Sequence, residues 1–169
     1  MATLATWLDV ETEVEKQFGV YLGTTLGLPV VKSDSDTLVV VPRIELVAVV
    51  EEMGPHQWTI PSGTYAARRI YDQFKISVNV DLVYSPHWQA VGGVTSGNQS
   101  GQLRGQLRNC LGAWTQLQAL FTSGGLLNLA SDSLRQTSGS RLINDAEKEE
   151  KLTTQVAGMF FLNTNVIPT

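Results

Sequence analysis

The sequence predicts an α+β domain: a mainly antiparallel β-sheet with an N-terminal helix and a central helix packed on one face. Three observations carry this. The segment FKISVNVDLVY (74–84) alternates apolar and other residues along its whole length, the period of a strand with one buried face. Two apolar stripes recur at three- and four-residue spacing, one near the N-terminus and one starting at Leu103, the period of helices lying across a sheet. The last third of the chain alternates turn-rich stretches with short β-prone runs. At 169 residues the chain is long enough to bury a real core, and it reads as one domain, 1–169.

The elements follow in order. Leu4, Trp7, Leu8, Val14 and Phe18 mark a first helix, with Thr3 or Thr6 as its cap and Gly19 as its stop. Short β-prone pieces come next: VYL at 20–22, PVV at 29–31 and LVVV at 38–41, with KSDSD as a turn. PRIELVAVVEE (42–52) is a stronger strand, with Ile44, Leu46, Ala48 and Val50 on one face and Pro42 at its start. Residues 53–66 carry two prolines and two glycines and read as a long loop. In the long strand, Phe74, Ile76, Val78, Val80, Leu82 and Tyr84 share the core side, and Pro86 closes it. Leu103, Leu107, Cys110, Leu111, Trp114, Leu117 and Phe121 then form one continuous helical stripe, ended by Ser123-Gly124-Gly125. LNLAS (127–131) and SLRQT (133–137) are short strands, and NDAEKEEK (144–151) reads as a solvated loop or helical turn. LTTQVAGMFFLN (152–163) closes the chain as a strand, with Val156, Phe160 and Leu162 on one face.

Composition narrows the function. Twelve Lys and Arg against sixteen Asp and Glu give a net charge of −4, unsuited to gripping nucleic acid through its phosphates. The sole cysteine, Cys110, sits in the helical stripe and reads as a core thiol. No apolar run approaches the ~20 residues of a membrane helix, and the acidic, periodic N-terminus is unlike a signal peptide. The chain therefore reads as cytoplasmically assembled, with no membrane partner.

No motif specifies catalysis, and the expected sets of catalytic, cofactor-binding and metal-binding residues are each none. The glycine-rich run GGVTSGNQSGQLRG (92–105) opens into a helix, as a phosphate-binding loop would. Counting from Gly92, however, the second glycine is Gly97, followed by Asn98 and Gln99 where a P-loop has Lys and Ser or Thr. Residues 89–101 read as a mobile connection, like 53–66. His56 and His87 sit in loops beside Trp58 and Trp88, with no nearby Cys or His to complete a metal site. Loop aromatics of this kind suit a contact surface, and they serve equally to cover their own domain. His56, Trp58, His87 and Trp88 are the candidate interface residues. The charge run 145–151 is expected on the rim of such a contact. Glu51-Glu52 and Glu147, Glu149 and Glu150 read as solvated carboxylates.

The order of elements resembles a known family. A starting helix, the PRIEL strand, a loop with a histidine, the long strand in YDQFKISVNVDLVYSPH, a Leu-rich helix, a closing hairpin and a short tail are similar to the tail terminators and neck proteins of tailed bacteriophages. The resemblance implies a structural virion protein, with no catalytic residues to carry over. It implies a homohexameric ring at the head-proximal end of the tail tube, binding the tail tube protein and neck or connector proteins. DNA would pass through the lumen without specific binding, and the net negative charge suits that. Another head–tail connector, such as a head-completion or stopper protein, fits the same pattern. A small cytosolic α+β ligand-binding domain or enzyme, with a site built from scattered residues, is the reading from a different class.

Overall fold

The structure, a computed structural model, describes residues 10–32, 41–55, 71–85, 99–121, 127–130, 133–144 and 149–162. In chain order these form α1 (Val10–Leu26), β1 (Val30–Lys32), β2 (Arg43–Pro55), β3 (Tyr71–Tyr84), α2 (Gln99–Gly112), α3 (Trp114–Ala119), β4 (Leu127–Leu129), β5 (Arg135–Asn144) and β6 (Glu149–Leu162). The architecture is α+β, as the patterning predicts. Six strands make one sheet in the order β1-β2-β3-β6, with β4 and β5 sharing the remaining edge of β6. Every pairing is antiparallel except β1 with β2.

Register aligns the apolar faces. Ala48, Val78 and Val156 lie abreast, as do Ile44, Leu82 and Leu152. All six are buried, and they join Phe74, Ile76, Val80 and Phe160 in one core. Val14, Phe18 and Leu22 of α1, Leu103, Leu107 and Leu111 of α2, and Leu117 of α3 belong to that same core. Phe121 links the layers: its ring centroid is 6.0 Å from Phe18 and 5.0 Å from Phe160, the latter edge-on. Cys110 lies in this core, where burial pushes its thiol pKa up.

The first helix does not stop at Gly19. It runs to Leu26, so Val20, Tyr21 and Leu22 are helical, not β, and Leu22 extends the Val14–Phe18 stripe. Gly19, the expected stop, and Gly23 serve a close approach instead. A Cβ on Gly19 would meet a Val30 methyl at 3.4 Å, and one on Gly23 would meet the other at 3.3 Å. Four residues apart on one helix face, they let α1 sit directly against β1. Gly27 is the true terminator, with φ +66 and its N–H donating to the Gly23 carbonyl at 2.9 Å. A Cβ there would touch nothing, so Gly27→Ala isolates backbone strain. We expect a loss of about 1 kcal/mol and a Tm lower by roughly 2–4 °C in a thermal melt.

The central helix also differs from its expected form. Its stripe is split between α2 and α3 at Ala113, just after Gly112, a weak helix former. Tyr21 spans the break: its hydroxyl lies 3.1 Å from both the Cys110 carbonyl and Gln116 Oε1. The helix starts at Gln99, inside the expected 89–101 connection, and β2 continues to Pro55, into the expected 53–66 loop. The rest of those two loops, and residues 1–9 and 33–40, lie outside the described residues. β4 falls within LNLAS, and β5 extends beyond SLRQT to Asn144.

Candidate functional site

His56, Trp58, His87 and Trp88 all lie outside the described residues. The charge run is described only in part. Its last residues, Glu149–Lys151, are not a solvated loop or turn but the start of β6. Glu150 is only 7% exposed, which corrects its expected place on a solvated rim. Residues 145–148 lie outside the described residues.

The described surface is organised by the two edges of the sheet. β5 pairs with β6 from Arg135 opposite Ala157 to Asn144 opposite Glu149. Along its other edge no strand lies among the described residues. Every side chain from Arg135 to Ile143 is exposed, on both faces of the sheet. Polar, unbranched or small residues dominate, but Leu142 and Ile143 are 65% and 56% exposed on opposite faces. An edge strand of ten residues without proline is a template for pairing with another chain.

A buried polar cluster anchors this strand. Glu150 Oε2 accepts from the Tyr84 hydroxyl at 2.6 Å, and from Arg141 Nη2 at 2.6 Å and Nε at 3.0 Å. Arg104 Nη1 donates to the Tyr84 oxygen at 2.9 Å, with its guanidinium 5.4 Å from that ring's centroid. One carboxylate thus ties together β3, β5, β6 and, through Tyr84, α2. Burial opposes ionisation of Glu150, but hydrogen bonds from Tyr84 and Arg141 and the two guanidinium charges outweigh it, so its pKa falls below the ordinary value. Burial, and then the bond to Glu150, raise the Tyr84 pKa. Period two, carried backward from Leu152, puts Glu150 in phase with the buried face. That was the available signal; the density of charge around it in sequence masked it.

The opposite face of the sheet carries a second network. Lys151 Nζ lies 2.7 Å from Asp81 Oδ2 and 3.3 Å from Glu45 Oε2. Arg43 Nε donates to Glu45 Oε1 at 2.8 Å. Burial alone would lower the Lys151 pKa, but its bonds to Asp81 and Glu45 and their charges raise it on balance. These side chains neutralise one another across β2, β3 and β6.

The other edge of the sheet is sealed along only part of its length. β1 covers β2 at Ile44–Leu46. Next to it, two carboxylates of α1 take over: Glu15 Oε1 accepts the Ala48 N–H at 3.0 Å, and Glu11 Oε1 accepts the Val50 N–H at 2.7 Å. Beyond Val50, no strand pairs with the outer edge of Glu51–Pro55 among the described residues. Met53 is 64% exposed there; Val49, in the sealed stretch and on the other face of the sheet, is 45% exposed. Glu51 and Glu52 share the single ammonium of Lys75, at 3.2 and 3.6 Å. The Ser77 hydroxyl also donates to Glu51, and that bond, with Lys75, lowers the Glu51 pKa.

Comparison with known proteins adds little to this geometry. No protein-family model matches the chain, and no curated protein matches it. One solved structure aligns over 92% of this chain and 92% of its own, at 17% identity and a TM-score of 0.35. A likeness that loose carries no argument. Among the described residues, no group of three or more His, Cys, Asp or Glu is placed to hold a metal ion. No described helix is long and apolar enough to cross a membrane.

Proposed function

We propose that this chain is a structural protein of a tailed-bacteriophage virion, a tail terminator that assembles as a homohexameric ring. It caps the head-proximal end of the tail tube and joins it to the neck, turning over no substrate and letting DNA pass through the lumen. The observation that supports assembly is β5: ten residues long, exposed on both faces, apolar at one end, and unpaired along its outer edge among the described residues. A lone soluble domain shortens or covers such an edge, because exposed N–H and C=O groups recruit further strands; a bulge at Thr137 interrupts β5, but Ser138–Asn144 continue in register beyond it. A subunit built to assemble keeps it. The element order set out above supplies the family.

The test has two parts. Purified protein is weighed by light scattering and native mass spectrometry, and imaged in negative stain; six copies in a ring are expected. Particles made with a tagged copy are then imaged, and the tag is expected at the tail–head junction. A strict monomer throughout the micromolar range overturns the ring. A tag placed elsewhere in the particle, or absent from it, overturns the terminator.

A further inference from the structure

We infer that the self-contact is head-to-tail, joining β5 of one copy to the open end of β2, Glu51–Pro55, of the next. This rests on the assembly reading above and names its surfaces. Among the described residues, five large apolar side chains stand out as exposed: Val20, Val49, Met53, Leu142 and Ile143. Three of the five lie at the two open edges, Leu142 and Ile143 on β5 and Met53 in the end of β2; Val49 lies in the stretch of β2 that α1 seals, and Val20 is on α1 itself. Exposed apolar residues scattered singly need no explanation, but their presence at both unsealed edges does.

The two edges also differ in charge. β5 carries no acidic residue; of its two cations, Arg135 and Arg141, the second is already paired with Glu150. The end of β2 carries Glu51 and Glu52 with one lysine between them. An edge without carboxylates meeting an acidic one favours heterologous pairing over β5 meeting itself, which offers no opposite charge.

Topology sets the direction. β2 and β6 run the same way, since both are antiparallel to β3, and β5 runs against β6. Copies in the same orientation about a ring axis therefore place β5 antiparallel to the neighbour's β2. Across the sheet, β5 is level with Arg43–Val49 of β2, through Ala157 and Ser77 at one end. The open end lies beyond that level, so each copy is offset along the strands from the last. That offset is the stagger a sheet closing on itself requires. Because the joined edges are opposite ends of one sheet, the contact is heterologous and generates a ring if the rotation closes. The sealing of β2 by β1, Glu15 and Glu11 leaves only its far end to receive a strand.

The experiment uses two variants of the full chain. One is Leu142→Asp with Ile143→Asp; the other is Met53→Asp. All three sites are exposed, so circular dichroism and Tm are expected to match the wild type. If either variant unfolds, Gln at the same sites replaces Asp. Each variant alone is expected to stay monomeric where the wild type assembles. Mixed in equal amounts, they are expected to form a one-to-one dimer, because each still offers one good edge. Loss of assembly in the β5 variant alone, with no dimer on mixing, overturns head-to-tail pairing in favour of β5 meeting itself. Assembly of both variants as well as the wild type overturns the edge contact and leaves the ring reading standing. A wild type that never assembles removes both.

Discussion

Val78→Asp is expected to abolish the fold. Val78 is 1% exposed and lies between Ala48 and Val156 at the middle of the sheet's buried face. Its neighbours on that face, Ala48, Ile76, Val80 and Val156, are hydrocarbon, with the Thr154 hydroxyl the one polar group beside them, and none carries a positive charge to pair with a carboxylate. An unpaired buried charge costs several kcal/mol on top of the lost packing, a large share of the ~5–15 kcal/mol that holds a domain together. The chain is expected in the insoluble fraction, or soluble without a cooperative melt. Val78→Ala provides the scale: it removes two methyl groups, costs about 2 kcal/mol, and leaves a folded protein with a lower Tm. A soluble Val78→Asp protein with a wild-type melt would show that this face is not the core.

The second large effect is expected at Glu150. Glu150→Gln keeps the side chain's shape but removes the charge that two arginines and a tyrosine address. Breaking one side of a buried ion pair leaves the other uncompensated, and Arg104 is mostly buried. Arg141 is half exposed and is rehydrated on release, so the cost falls below the full buried-pair range, to about 2–3 kcal/mol. The pH dependence identifies the cause. The folded pKa of Glu150 lies below its ordinary value, so its stabilisation is complete above the ordinary glutamate range of about 4.3. It is lost as pH falls through the depressed folded value. Urea midpoints of wild type and variant are therefore expected to differ most near pH 7 and to converge below about pH 4. A difference that stays constant from pH 3 to pH 8 would assign the loss to packing. Since the cluster anchors Arg141, the variant is also expected to exchange β5 amides faster than those of β2 and β3.

Period-two and helical spacing were legible in the sequence because burial on one face is enforced residue by residue. Phe74, Ile76, Val78, Val80, Leu82 and Tyr84 are all buried, as their alternation predicts. Ile44, Leu46 and Ala48, and Leu103, Leu107 and Leu111, follow the same rule. α+β architecture follows from those faces alone, since each has to be covered by another. Tertiary structure decided what local signals leave open. Gly19 looks like a helix stop, yet it sits mid-helix, where with Gly23 it lets Val30 of β1 come within 3.3–3.4 Å of the place a Cβ would take. Glu150 looks solvated in a run of charges, yet it is buried because Tyr84 and Arg141 arrive from other strands to pair with it. Glu11 and Glu15 look like surface acids of a helix, and they close the edge of β2. Which strands end at an edge depends on pairings between residues as distant as Ser77 and Ala157. Spacing along the chain encodes which face of an element is buried; only the fold determines which partner covers it and which edge is left open.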